Sequence, residues 1–587
     1  MVLQRRLIMQ IVWGVLLGMV LLPGDLWGQS EGSLEELVRS YLWPNNTDEF
    51  EKAKTALEGE KALADVSRER FHDLEEIMRR GRIDYPAAPE ASEGKFPLQE
   101  MVVELPEGEK IPVFVQLPPD YNTNISWPLM FAMHGGPPGS AEGARGSARR
   151  MINVWTEAAD KAGWIVAAPS MDTVVSKGRR TQDRLPYEIF HEEQIQAVIF
   201  SLRERFRINP DRIVSTGISL GSNFSIALAC ARPDWLSAIV PVSTEGDSRE
   251  LLLRNLALVP AYILEGSRDR NIWGIGGPQA LRDIVAGFGY DLTYREFSDR
   301  AHEGFQDHYD DVLRWLDGRA RQIYPRKIIR VPHTAIMPIA RRVHWIETDT
   351  RQALLRAEVV SSSRIDITTR WAGSVKVYLH DRLVNLDKPI EIWFNGQKVF
   401  SEKVSRSFLT ALEQARILGD ECRIYAAEVT IKVPSDSNAL KEAQKLSKEM
   451  EPKYPELELS FWERYAVRDL QDRFTGLGFK GIDEEVPSAI ESIPEQIALR
   501  VTEVDKKSAF AAAGLKKDDI LLEVGGESFF QDEDNPGVLY QWLIRELRTQ
   551  PQPYFLLVWR DGQRIRLETQ LMLGPNVNFS KRMPLRD

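Results

Sequence analysis

The stretch from Asp211 to Ala231, DRIVSTGISLGSNFSIALACA, constrains the fold more than any other. Ile213 to Thr216 is a short apolar run of β type, and Phe224 to Ala231 is an alanine-rich helical run. Arg232-Pro233 stops that helix, because proline lacks a backbone donor and restricts the residue before it. Between the two lies Gly217-Ile218-Ser219-Leu220-Gly221. A strand that turns directly into a helix crowds the residues on either side of the turn, so the side chains flanking Ser219 have to be absent. The Ser219 hydroxyl then projects above the sheet at a helix N-terminus, where free N–H groups and the helix dipole favour developing negative charge. This context for G-x-S-x-G predicts a nucleophilic serine.

The surroundings alternate in the same way. Met101 to Leu105 and Ile111 to Leu117 predict a hairpin through Pro106-Glu107-Gly108. Pro128 to Met133 is wholly apolar, as a strand buried on both faces of a parallel sheet should be. Gly163 to Ala168, Ala238 to Val242, Ala261 to Glu265 and Leu292 to Phe297 read as further strands. Glu188 to Phe206 is amphipathic at helical spacing, and Phe305, Tyr309, Val312 and Leu316 mark a closing helix. Strands alternating with helices predict a mainly parallel α/β sheet.

Acyl transfer by a serine needs a base for the Oγ proton and an acid to orient the base. The run Ala261 to Glu265 ends in Gly266-Ser267-Arg268-Asp269, which puts Asp269 just past a strand end. Glu265 is the rival acid, but within the strand it is expected to be structural, beneath the loop. His302 falls in the loop Asp299 to Phe305 after the last strand and is the expected base; His308 is expected on the closing helix. One oxyanion donor is the N–H of Leu220. The other comes from the loop His134-Gly135-Gly136-Pro137, and since proline has no N–H the donor is Gly135 or Gly136.

With the order serine, acid, histidine and a glycine loop after the third strand, this region resembles the α/β-hydrolase superfamily, particularly secreted esterases of the polyester-depolymerase and feruloyl-esterase type. Asn209-Pro210-Asp211-Arg212-Ile213 leading into the turn is part of the likeness. The resemblance implies a carboxylic-ester substrate, polymer-linked esters included, and no cofactor. A serine peptidase of the same fold and a non-catalytic peptide-binding scaffold are the alternatives. Ser222-Asn223 departs from the small residues that relatives carry behind the turn. His191-Glu192-Glu193 begins like a zinc-protease helix, but Ile195 stands where the second ligand belongs, so no metal is expected.

The 587-residue chain is too long for one core and predicts three or four domains. Residues 96–323 form the α/β unit. Residues 29–95 are polar and helical, with Leu34, Leu37 and Val38 at helical spacing and Thr47 or Asp48 capping a second helix, and are expected to pack on the segment after them. Residues 324–436 alternate apolar and polar, as in Val375, Val377 and Leu379, and Asn395-Gly396 signals a hairpin. They predict a small β-rich, sandwich-like domain, and then a charged helical linker over 437–455.

Residues 456–575 resemble a PDZ domain. The likeness rests on Gly476-Leu477-Gly478-Phe479, the strand Ala498 to Val504, Ser508 to Leu515, Asp518 to Gly526, a helix from Pro536 and paired strands around Asp561-Gly562. It implies that the glycine loop receives a peptide C-terminal carboxylate, with the peptide added as an edge strand.

Arg5 and Arg6 precede an apolar run too short for a membrane span, which needs about 20 residues. Residues 1–28 therefore read as a signal peptide cleaved after Gly28, giving a secreted or periplasmic protein with no membrane span once it is removed. The formal charge of −11 offers no electrostatic reason to bind nucleic acid. Two cysteines, Cys230 and Cys422, make no disulfide framework.

Overall fold

The computed structural model describes residues 31–105, 108, 110–135, 141–170, 192–244, 250–269, 277–332, 340–434, 436–453, 477–481, 499–504, 506, 509–524, 527–528, 554–561 and 563–569. The expected signal segment and the helix from Pro536 lie outside them.

Three helices come first: α1 (Glu31–Leu42), α2 (Thr47–Gly59) and α3 (Arg68–Arg79). The cap of α2 is Asn46, not Thr47 or Asp48: its side chain accepts the Glu49 N–H, leaving both candidates inside the first turn.

The α/β unit is an eight-stranded sheet: β1 (Gln99–Glu104), β2 (Lys110–Gln116), β3 (Trp127–Met133), β4 (Ile165–Pro169), β5 (Ile208–Ile218), β6 (Ala238–Val242), β7 (Ala261–Gly266) and β8 (Leu292–Phe297). Its spatial order is β1-β2-β4-β3-β5-β6-β7-β8. Only β2 runs against its neighbours; from β4 to β8 every pairing is parallel. The period of two along β3 sends Leu129, Phe131 and Met133 to one face and Met130 and Ala132 to the other. The first face is covered by α5 (Glu192–Arg205), α6 (Leu220–Ala231) and α7 (Pro278–Gly287), the second by α4 (Ala141–Ala162) and α8 (Tyr309–Leu316). Trp155 of α4 stacks on Tyr309 of α8 at 3.7 Å between ring centroids. This order, with helices on both faces, fits the α/β-hydrolase fold.

Two further sheets lie beyond it in the chain. One is β10 (Arg342–Val343), β11 (Ile346–Thr348), β14 (Ser374–Leu379) and β17 (Ala427–Lys432). The other pairs β16 (Gln397–Glu402), β15 (Ile390–Phe394), β13 (Arg364–Arg370), β12 (Leu354–Ser361) and β9 (Lys327–Arg330). Asn395 and Gly396 both take positive φ, 47° and 79°, and turn β15 into β16 as their sequence demands. Helix α9 (Phe408–Leu418), capped by Ser407, completes this part.

The N-terminal helices do not pack chiefly on the segment next to them in sequence. Val38, Leu42, Phe71 and Leu74 share a core with Trp345 between β10 and β11, Val377 of β14, Ile392 of β15 and Phe408 of α9. Buried Glu75 accepts a 2.7 Å hydrogen bond from His380 Nε2, whose Nδ1 in turn accepts the Arg382 N–H. Helix α10 (Ser437–Glu449), expected from sequence to be a charged connector, is docked as well: Leu446 and Met450 pack with Val331 and Leu354, and Arg370 bonds Ser447 at 2.7 Å.

A buried charge network joins the α/β unit to these sheets. Arg321 bonds Asp211 at 3.0 Å and Asp420 at 2.9 Å, while Asp234, just beyond α6, is held by Arg232 and Arg423. Taking such charges out of water is costly, so removing one partner typically costs about 3–5 kcal/mol. The helix that follows Ser219 is thereby anchored at its far end.

The last strands, β18 (Leu477–Gly481), β19 (Leu499–Val504), β20 (Ile520–Val524), β21 (Glu527–Ser528), β22 (Tyr554–Arg560) and β23 (Gln563–Thr569), form a sheet ordered β18-β19-β20-β22-β23, with β21 on β20. Among the described residues β18 pairs only with β19 and is an edge.

Candidate active site

Ser219 stands where β5 passes into α6, with φ 57° and ψ −121°, a region costly for any residue with a Cβ. Both flanking glycines are required by contact. A Cβ on Gly217 would collide with the backbone of Gly221, and one on Gly221 with the Met133 carbonyl on β3. The Ser219 N–H donates to Val242 O at 3.0 Å, which ties the turn to the end of β6. Leu220 opens α6, in the turn whose N–H groups have no acceptor within the helix.

Gly135, past the end of β3, lies directly against this turn. A Cβ there would strike the Ile218 carbonyl and come within 3.2 Å of Ser219 Cβ. Its backbone is therefore at the height of the serine, where an oxyanion donor is needed. Gly136, the alternative donor, lies outside the described residues.

Asp269 follows β7 in a turn closed by its own N–H on the Gly266 carbonyl at 3.0 Å, and only 2% of it is exposed. Its Oδ2 is 2.7 Å from His302 Nδ1. A carboxylate there accepts, so Nδ1 carries the proton and Nε2 keeps a lone pair. The His302 side chain is 40% exposed. The two loops are stitched together: Arg268 N–H donates to Arg300 O at 2.8 Å, and Gly266 has no Cβ because one would collide with the Arg300 and Ala301 carbonyls. Arg300 also bonds Glu303 and Asp307, which tightens the histidine loop from outside. Among the described residues Ser219 Oγ has no hydrogen bond to His302, a bond that such sites often form only with substrate in place.

Glu265 does not reach the histidine. It is fully buried, its Oε1 accepts the Thr244 N–H at 2.8 Å, and its Oε2 has no partner among the described residues. Burial raises its pKa well above the ordinary carboxylate value, and nearby Asp269 and Glu296 add to the rise against the opposing Thr244 N–H. His308 sits in a short turn just ahead of α8 and stacks on Phe297 at 4.1 Å. The Ser222-Asn223 departure is accommodated: Ser222 Oγ donates to the Ser219 carbonyl at 2.5 Å, and Asn223 Oδ1 accepts from Thr244 Oγ1 at 2.6 Å. Cys230 is buried in α6 as filler.

No family model matches the sequence, and no curated protein matches it. Similar solved structures include a thermostable esterase, 19% identical with a TM-score of 0.32 over 38% of this chain and 63% of that one. An S-formylglutathione hydrolase from Agrobacterium tumefaciens is 14% identical, with a TM-score of 0.32 over 39% of this chain and 97% of its own. Dipeptidyl peptidase 4 from Porphyromonas gingivalis is 13% identical, with a TM-score of 0.31 over 38% and 36%. The chain thus spans less than two thirds of the esterase. At such scores the likeness adds nothing to what strand order and loop contacts already give.

Proposed function

We propose that the protein is a serine hydrolase of carboxylic esters working through an acyl-enzyme. Ser219 Oγ attacks the ester carbonyl while His302 Nε2 takes its proton, and the Leu220 and Gly135 N–H groups receive the oxyanion. His302 then protonates the departing alcohol, and water brought in by the same base releases the acid. Asp269 holds the imidazole in the required tautomer and stabilises its charged form. The observation that carries this reading is the 2.7 Å contact of a buried carboxylate with a half-exposed histidine, on loops beside a strained serine turn. The ester half of the reading rests on the sequence resemblance to secreted esterases, and an exported location rests on the expected signal segment.

The edge position of β18 supports a second role, capture of a peptide C-terminus as an added strand, with Leu477, Gly478 and Phe479 on that strand. Gly476 lies outside the described residues.

The test is a panel of aryl acetates, feruloyl sugars and short peptides, run on the full-length protein and on Ser219→Ala. Ester turnover that vanishes in the variant supports the reading. Turnover of peptides alone would replace it with a peptidase.

A further inference from the structure

The end of β6 touches all three elements that carry the candidate site, although it contributes none of its residues. Ser243 is fully buried and takes φ 44°, where a residue with a Cβ costs about 1–3 kcal/mol. Glycine would adopt that backbone without strain, so the serine is explained only by what its hydroxyl does. The hydroxyl donates to Glu303 O at 2.8 Å and accepts the Glu303 N–H at 3.0 Å. Both backbone groups of the residue next to His302 are therefore held by one oxygen. The Ser243 N–H donates to Leu264 O on β7 at 2.9 Å. Its neighbour Thr244 bonds Glu265 on the acid strand and Asn223 on the serine helix, one turn from Ser219.

We propose that Ser243 is a positioning residue for His302: its hydroxyl fixes the histidine loop against the β6 end to which the Ser219 turn is also tied. The inference rests on the serine-hydrolase reading. Asp269 sets the ring's tautomer and orientation from one side. That contact, even with Arg268 N–H on Arg300 O at the start of the loop, leaves the residues after Arg300 able to shift, carrying Nε2 toward or away from Ser219 Oγ. Pinning both polar groups of Glu303 removes that freedom. Displacement of a reacting group by about 1 Å can cost about 10²-fold in rate, so the tether acts on chemistry and not on substrate affinity.

The test compares the full-length protein with Ser243→Gly, which removes the hydroxyl and relieves the backbone, and with Ser243→Ala as a second hydroxyl-free variant should the first fold poorly. Hydrogen exchange read on a peptide spanning residues 300–306 should speed up at the Glu303 amide. The kcat for aryl acetate should fall about 10- to 100-fold with KM unchanged, the pattern of a loss felt only in the transition state. A residue that merely stabilised the fold would lower the melting temperature and leave kcat of the folded fraction alone. An active parent with an equally active Ser243→Gly variant overturns the proposal, as does unchanged exchange at Glu303. A parent with no turnover sinks the hydrolase reading itself, and the proposal with it, before any variant is made.

Discussion

Two carboxylates stand near the end of β7, and exchanging each for its amide separates their roles. Asp269 Oδ2, itself buried, meets Nδ1 of the half-exposed His302 at 2.7 Å. In Asp269→Asn the side chain can offer an oxygen, which no longer compensates the imidazolium charge. It can instead offer its NH₂, which forces the proton onto Nε2 and blocks the base. Either outcome should lower kcat by about 10³- to 10⁴-fold, which is about 4–5.5 kcal/mol of barrier. Glu265→Gln should do almost nothing to kcat. Burial favours the neutral acid there, the amide oxygen can still accept the Thr244 N–H, and neither group touches His302. Initial rates on p-nitrophenyl acetate, normalised by active-site titration, give the comparison. A damaged Glu265→Gln beside a normal Asp269→Asn would refute the assignment of the acid.

Glu265→Gln also carries a pH signature. The raised pKa means that the folded state binds a proton the unfolded chain has released, so the parent loses stability as pH rises above the unfolded carboxylate value. The melting temperature of the variant relative to the parent should therefore climb as pH rises above the unfolded carboxylate value, and a flat difference would contradict this. At the charge network, burial and the neighbouring arginines bring His344 down to about 4, and both its ring nitrogens lack partners among the described residues. Held neutral in the fold, it should cost about 3 kcal/mol as pH falls from the unfolded histidine value to about 4. Urea midpoints of the parent should drop over that range more steeply than those of His344→Gln. Gly135→Ala should lower kcat by about 10²- to 10³-fold, since the new methyl group drives the donor away from the Ser219 turn; unchanged turnover would move the oxyanion site elsewhere. Peptides with a free C-terminal carboxylate should bind the full-length protein more tightly than their amidated forms, and calorimetry showing equal affinity would remove carboxylate capture at β18.

Legibility in the sequence divides along a physical line. Ala238–Val242 is legible to the residue because an apolar strand between turn signals has few alternatives. The 22-residue helix α4 is not, since Ala144, Ala148, Ala158 and Ala159 supply much of its buried face and alanine gives little apolar contrast. Ser219, Asp269 and His302 are legible because each follows a strand end in a fixed chain order. Ser243 is hidden: its partner Glu303 lies 60 positions away, and only the loop after β8, folded back across the end of β7, brings the two together. The same holds for Glu75 and His380, 305 positions apart, and so for the core that the N-terminal helices share with the later sheets. The docking of α10 is masked by its charged residues, which outnumber the few apolar ones that make the contact.

The central claim is that Ser219 is a nucleophile activated by His302. Treating the full-length protein with a fluorophosphonate probe and locating the adduct by peptide mass spectrometry tests it most directly. The account predicts one adduct, on the peptide carrying Ser219, absent from Ser219→Ala and much slower in His302→Ala while both variants melt like the parent. A folded parent that takes no label, or takes it on another serine, would contradict it.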